Sequence, residues 1–280
     1  MLTDAISSES YKLLKNRWTA FWSFGFPPFL AIIVGLGALA FAASQVPLAM
    51  RSAPTDVAAF LLDGAKNAAG PLTILFALIG GSVIFAGEYR WETWRLLAPR
   101  NSRLNHILGK ATVFAAAIFV TVLLLVVANA ILSFIAAPVN SSSLTWTLGG
   151  QDGYWLSLLG LIAIAWLQLF QAGALVALFA VVTRSILGAV IAPLVIGGAQ
   201  LFLQGYVMQS GQVPGFHHLL MLPGWSADLM REHALGPVVG GLSRVTPEIA
   251  GMALLSVVIW IVVGYGGALL LFLRQDLSKE

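Results

Sequence analysis

Residues 111–137 read ATVFAAAIFVTVLLLVVANAILSFIAA, an apolar run without a single Lys, Arg, Asp or Glu. About 20 helical residues, each rising about 1.5 Å, cross the roughly 30 Å hydrocarbon core of a bilayer. A charged residue at the centre of such a helix costs about 2.5–3.5 kcal/mol, so the absence of charge favours insertion. The run therefore predicts a transmembrane helix.

Five other runs have the same character and predict five more spans: 24–43, 68–87, 157–183, 186–208 and 249–273. The composition agrees, because charged residues make up 10% of the chain and apolar residues 59%, whereas a soluble domain has about 25% charged residues. The mean hydropathy of +0.88 excludes both a disordered and a soluble chain. We predict an all-α polytopic membrane protein with six transmembrane helices over 24–280, preceded by an interfacial helix over 1–23.

The basic residues outside these spans are distributed unevenly between the two faces. Eleven lie on the face that carries both termini: Lys12, Lys15, Arg17, Arg90, Arg95, Arg100, Arg103, Lys110, Arg184, Arg274 and Lys279. Four lie on the other face: Arg51, Lys66, Arg231 and Arg244. Basic residues are retained on the cytoplasmic side of membranes. We therefore expect a multi-pass protein of the inner (plasma) membrane with both termini in the cytoplasm, and Arg184 in a tight turn between the fourth and fifth spans.

The segment before the first span predicts an amphipathic helix on the cytoplasmic leaflet, with apolar residues at helical spacing and basic residues favoured by anionic lipid. The residues that define this interfacial helix are Lys12, Lys15, Arg17 and Trp18. Pro27 and Pro28 follow, and there we expect the chain to turn from lying flat to crossing. The helix serves either as a membrane anchor or as a mechanical lever.

Residues 88–110, between the second and third spans, read EYRWETWRLLAPRNSRLNHILGK. Trp91, Trp94 and Leu97 recur at three-residue steps, and Pro99 must end the short amphipathic helix that they predict. Acidic residues precede basic ones, which matches the helix dipole. Composition alone favours an interfacial aromatic anchor followed by cytoplasmic charges.

The order of these features resembles the permease subunits of the ATP-binding-cassette (ABC) type-2 exporter family. The resemblance consists of a cytoplasmic amphipathic helix, six spans, a particular loop after the second span and the closing residues 272–276. The matching loop residues are Glu88, Thr93, Leu96, Leu97, Pro99, Ser102, Arg103, Gly109 and Lys110. Glu92 stands where members of the family often have Gly.

The resemblance implies that this loop is a cytoplasmic coupling helix, which sits in a cleft of a separate ATPase subunit. The residues expected at that contact are Glu88, Tyr89, Arg90, Trp91, Glu92, Thr93, Trp94 and Arg95. It also implies two ATPase copies that hold ATP and Mg, and a permease that pairs with itself or with a related permease. This chain lacks the phosphate-binding motif G-x-x-x-x-G-K-[ST], because Gly109-Lys110 is followed by Ala111. We therefore expect no cofactor in this chain.

Residues 209–247 form a long connection that is far from hydrophilic. They predict two short re-entrant helices on the exterior side before the last span, a feature that the exporter family also has. His217, His218 and His233 lie there, but their spacing matches no known metal site, so we expect no bound metal.

Polar residues inside the spans form pairs that share one helix face. The pairs are Gln168 with Gln171, Gln200 with Gln204, and Asn129 with Ser133. Such groups most often join helices through hydrogen bonds worth about 1 kcal/mol, and the alternative is that they line a cavity.

The function classes can be narrowed from what the spans lack. They contain no acid, base or histidine, which disfavours a proton- or sodium-coupled carrier. The chain has no Cys, and all four His lie in loops, which disfavours an intramembrane hydrolase. We predict a non-enzymatic exporter permease that moves an amphipathic substrate, such as a lipid, hydrophobic peptide or antibiotic, and that contacts membrane lipid but no nucleic acid. The alternative is a non-transporting scaffold, immunity or sensor subunit on the same fold.

Overall fold

The computed structural model describes residues 1–51, 53–90, 102–209, 215–236, 238 and 245–275, apart from the side chains of residues 48 and 49. Within these residues the chain is mostly helical, and six helices are long and apolar enough to cross a membrane. We call them the first to sixth spans: Arg17–Gln45, Pro71–Arg90, Arg103–Val139, Tyr154–Thr183, Ile186–Gln209 and Pro247–Arg274. The predicted all-α chain with six membrane-length helices is confirmed.

Shorter elements lie before and between the spans. They are the N-terminal helix Leu2–Lys15, a turn of helix Leu48–Arg51, the far-end helix Val57–Asn67, the 3₁₀ turn Leu148–Gly150, the first inserted helix Phe216–Met221, the second inserted helix Pro223–Leu235, and strands β1 (Thr55–Asp56) and β2 (Leu144–Thr145). The first span includes a π-helical turn over Phe21–Gly25. The two short helices predicted between residues 209 and 247 are therefore present.

Side-chain hydrogen bonds hold the ends of four spans together at what we call the terminal end of the bundle. Arg103, at the start of the third span, donates to the carbonyl oxygens of Phe272 and Gln275, at 2.7 and 2.9 Å. The Gln275 side chain donates to the Val181 carbonyl oxygen and accepts from the Tyr89 hydroxyl, both at 2.9 Å. The second, third, fourth and sixth spans are thus fixed to one another at this end.

The opposite, far end is closed by a small two-stranded parallel sheet. Strands β1 and β2 pair with Thr55 opposite Leu144. The Asp56 carboxylate accepts from the Leu148 amide at 2.8 Å, and from the Ala58 amide at 3.0 Å, where it caps the far-end helix. These contacts join the connection after the first span to the connection after the third. The sheet and the far-end helix were not predicted, because both are too short to give a membrane-length signal.

The fourth span lies at the centre of the bundle, and small residues let its neighbours pack closely against it. Gly173 faces the fully buried ring of Phe114, and a Cβ on Gly173 would lie 2.1 Å from that ring. A Cβ on Gly264 of the sixth span would lie 2.7 Å from Cβ of Ala174. Only 11% of the residues in the apolar centres of the first and fifth spans are buried, against 56% in the second and fourth. The first and fifth spans are therefore peripheral.

The span boundaries agree with the predicted ones to within a few residues, except at two places. The third span begins eight residues earlier than expected, because Ser102 caps it by accepting from the Asn105 amide at 3.2 Å. Before the first span, the chain turns at Asn16, which caps the next helix through the Thr19 amide. Pro27 and Pro28 lie in the first turn of the α-helix Phe26–Gln45, directly after the π-helical turn, and the chain is helical on both sides of them.

Candidate functional site

A cluster of four charged side chains lies at the terminal end, and we call it the ionic cluster: Glu9, Lys12, Glu88 and Lys110. The Lys110 ammonium is 1% exposed and donates to Glu88 Oε1 at 2.7 Å, Glu9 Oε2 at 3.0 Å and the Ile84 carbonyl oxygen at 2.6 Å. Lys12 donates to Glu9 Oε1 at 2.6 Å and to Glu88 Oε1 at 3.0 Å. The positive charges of the two ammonium groups therefore balance the negative charges of the two carboxylates.

The ionic cluster connects three separate pieces of chain. Glu88 ends the second span and Lys110 lies near the start of the third, so the two flank residues 91–101. Glu9 and Lys12 come from one face of the N-terminal helix, at a spacing of three residues. That helix comes close because Gly109 has no side chain, and a Cβ there would lie 3.0 Å from Cβ of Ala5.

The position of Lys12 differs from the one that the sequence predicts. We expected Lys12 to face lipid with Lys15, but its side chain, although 42% exposed, pairs with both carboxylates at the rim of the ionic cluster. Burial acts against its charged form, yet the nearby Glu88 and Glu9 outweigh burial and raise the pKa of Lys12. Trp18 is exposed, as an interfacial side chain would be, and Arg17 and Lys15 are exposed too.

The residues predicted to contact an ATPase fall into two groups. Glu88 is buried in the ionic cluster, Tyr89 is half-buried against Gln275, and Arg90 is exposed. Glu88 thus differs from the exposed contact that we expected, since its carboxylate is used inside the protein. Five predicted contact residues lie outside the described residues: Trp91, Glu92, Thr93, Trp94 and Arg95.

A cavity of about 610 Å³ lies between the second, fourth and fifth spans and the second inserted helix. The four glutamines that were predicted in pairs line it: Gln168, Gln171, Gln200 and Gln204. Among the described residues, the bond between helices that we first expected is seen for Gln168 alone of these four, which accepts from Arg231. The cavity alternative therefore describes these glutamines better. Asn129 lies elsewhere, bonded to the Leu125 carbonyl oxygen of its own helix and packed against Gly64.

The two inserted helices reach the middle of the bundle. Leu220 of the first inserted helix accepts a hydrogen bond from the indole of Trp260, at the midpoint of the sixth span. Arg231 of the second inserted helix donates to Gln168, at the midpoint of the fourth span. The predicted span runs themselves contain no ionisable residue, but Arg231 is brought to the level of these midpoints from a connection that we had placed on the exterior side.

Arg231 is the most unusual polar group on the cavity wall. It is 9% exposed, and its guanidinium donates to Asp228 Oδ1 at 2.7 Å as well as to Gln168. Its Nε is buried and has no hydrogen-bond partner among the described residues. Lys66 and Asp228 are the other charged lining residues that the structure describes. Among the described lining residues, the cavity wall therefore has two positively charged side chains and one negatively charged side chain.

The rest of the cavity wall is mainly apolar, with Ile74, Leu78, Leu175, Leu201 and Trp225 among its residues. Such a chamber can hold a molecule that has both a polar and an apolar part. Among the described residues no group of three His, Cys, Asp or Glu could hold a metal ion. His233 instead lies 3.1 Å from the Val245 carbonyl oxygen, and the rings of His217 and His218 pack on each other.

Sequence reasoning missed Glu9, Lys110 and Arg231 as site residues. A signal was present for Glu88 and Lys110, since they are opposite charges at the two ends of one loop and next to apolar spans. No signal in the sequence paired Glu9 with Lys110, because the two are separated by 101 positions.

Comparison with known proteins adds no relative. No protein-family model, curated protein or solved structure matches the chain.

Proposed function

We propose that the chain is the transmembrane permease subunit of an ABC-type exporter. The ionic cluster carries this proposal, because it fixes both flanks of residues 91–101, which lie within the predicted coupling loop 88–110, to each other and to the N-terminal helix. A force applied to residues 91–101 would therefore move the second span, the third span and the N-terminal helix as one unit. A passive scaffold has no need of such a connection.

The cavity supports the transport part of the proposal. It extends from the level of the fourth-span midpoint toward the far end, is lined by four glutamine side chains, and is bounded by the second span, which leads directly to residues 91–101. Closure of two partner ATPase chains around ATP and Mg would shift that span and change access to the cavity. The inserted helices at the far end would act as re-entrant exterior helices that gate the exit.

In this proposal the protein is a multi-pass protein of the inner (plasma) membrane with both termini in the cytoplasm. Two copies, or one copy and a related permease, pair around the transport path, and each binds one ATPase chain. The substrate is amphipathic, such as a lipid, a hydrophobic peptide or an antibiotic, because the wall combines amides with apolar side chains.

The test is ATP turnover by the full chain, purified from its native membrane with its bound partners and placed in lipid nanodiscs. Trp94→Ala removes a predicted anchor of the ATPase contact and is expected to lower turnover by about thirtyfold, since truncating a central interface tryptophan costs about 2 kcal/mol. Trp155→Ala is the matched control, because Trp155 is exposed at the far end.

Equal turnover in the two tryptophan variants, or no ATP turnover in the purified assembly, would contradict the proposal. Turnover that depends on Trp94 without release of any substrate would favour the scaffold or sensor alternative.

A further inference from the structure

We propose that the far-end cavity binds an amphipathic anion, a carboxylate or phosphate head group on an apolar chain, with the head group paired to Arg231. This inference rests on the proposed function and names the substrate class of the permease.

The incomplete pairing of Arg231 is the first observation. The guanidinium is nine-tenths buried at the level of the fourth-span midpoint, where a charge needs a partner. Asp228 binds Nη1, but the carboxylate is itself 59% exposed, and Nη2 is bound only to the neutral amide oxygen of Gln168. The buried Nε has no partner among the described residues.

An oxyanion completes this arrangement. Carboxylates and phosphates bind Arg through two parallel N–H donors, and such bonds are stronger than those to a neutral oxygen. An anion that displaces the Gln168 oxygen would accept from Nη2 and from the unused Nε together. Asp228 would keep its bond to Nη1.

The charge of the cavity wall favours an anionic ligand. Among the lining residues that the structure describes, Lys66 and Arg231 are positive and Asp228 is negative. The wall therefore carries more positive than negative charge, which an anion would offset.

The remaining wall favours an apolar chain. Leu78, Leu175 and Leu201 come from three different spans and line the same space. A volume of about 610 Å³ is within the range for drug-sized ligands, so a lone inorganic anion would leave most of this apolar surface against water.

The test is equilibrium binding to the full chain, purified in neutral maltoside detergent and followed by isothermal titration calorimetry. The probe is dodecyl phosphate, with inorganic phosphate and dodecanol as separate arms. We expect saturable binding of dodecyl phosphate and at least about tenfold weaker binding of the other two, because each lacks one half of the recognised molecule.

Two pairs of variants locate the site. Arg231→Gln is expected to weaken dodecyl phosphate binding at least about tenfold, equal to about 1.4 kcal/mol, whereas Arg51→Gln, at another far-end arginine, leaves it unchanged. Gly198→Leu fills the cavity without touching Arg231, since a Cβ there meets nothing within 4 Å, and it is expected to abolish binding. Gly205→Leu has equally open surroundings on the same span but does not line the cavity, and it should bind normally.

Inorganic phosphate that binds as tightly as dodecyl phosphate would overturn the inference, because the site would then recognise the anion alone. Equal binding by the two arginine variants or by the two glycine variants would also overturn it. The assay needs no ATPase, so absent binding with intact Trp94-dependent ATP turnover would refute this inference alone. Normal binding without such turnover would instead refute the proposed function.

Discussion

Replacing Lys110 with Met removes the central cation of the ionic cluster while keeping a chain of similar length. Lys110 is 1% exposed and donates to Glu88, Glu9 and the Ile84 carbonyl oxygen at 2.6–3.0 Å. Its loss leaves two buried carboxylates with Lys12 as their only described cation. Breaking a buried pair in this way costs about 3–5 kcal/mol, and we expect a value near 3 kcal/mol because Lys12 still compensates part of the charge.

The assay is equilibrium unfolding in mixed detergent micelles, with the N-terminal helix followed by a probe attached at Ser8. Lys15→Met is the matched control, because Lys15 is exposed and lies on the N-terminal helix, which carries the probe. It should change the free energy of unfolding by less than about 0.5 kcal/mol, as surface substitutions usually do. The double variant Glu88→Gln with Lys110→Met should be more stable than Lys110→Met alone, since it removes one uncompensated carboxylate.

The reasoning would be refuted if Lys110→Met and Lys15→Met unfolded alike. It would also fail if the double variant lost as much stability as the two single changes added together, because groups in one charge network are coupled.

Two further predictions concern packing and topology. Gly173→Ala would place a Cβ 2.1 Å from the buried Phe114 ring, so it should destabilise the chain by about 1–3 kcal/mol in the same unfolding assay, whereas Gly197→Ala meets nothing within 4 Å and should stabilise it by up to about 1 kcal/mol. Similar effects of the two changes would contradict the packing described for the fourth span. The chain has no Cys, so single cysteines at Ser8 and Ser143, which lie at opposite ends, can report the orientation. A membrane-impermeant thiol reagent applied to intact cells should label Ser143→Cys and should reach Ser8→Cys only after permeabilisation, and the reverse result would place the termini outside.

The spans could be predicted from the sequence because the signal for a membrane helix is local. A run such as 111–137 has no charge and is long enough by itself, so neither neighbours nor packing are needed to identify it. The far-end helix Val57–Asn67 was missed because it is 11 residues long, which is too short to give this membrane-length signal. The start of the third span was harder to predict, because Ser102 caps the helix several residues before the uncharged apolar run begins.

The site residues depend on contacts that no local pattern encodes. The glutamines were visible as pairs on helix faces, but which helix they faced depends on how three spans and an inserted helix pack. Arg231 was assigned to the exterior face because it lies in the connection before the last span, and the position of its helix in the fold brings it to the Gln168 side chain. The predicted coupling residues 91–95 lie outside the described residues, so their role remains a prediction.

The second span is the element that joins the two sites. Its last turn carries Glu88 of the ionic cluster, and its first half carries Ile74 and Leu78 of the cavity wall. A 20-residue helix is about 30 Å long, so the two sites lie near its opposite ends. At its centre a Cβ on Gly80 would lie 2.6 Å from the Phe24 ring, and one on Gly81 would lie 3.2 Å from the Phe114 ring. These contacts hold the middle of the helix on two sides. If the proposed ATPase moves residues 91–101, the second span moves with the third span and the N-terminal helix, because the ionic cluster and the contact at Gly81 join them. Its cavity end would then shift relative to the fourth and fifth spans, which form other parts of the cavity wall. A displacement at the terminal end would in this way change the shape of a chamber that it does not touch.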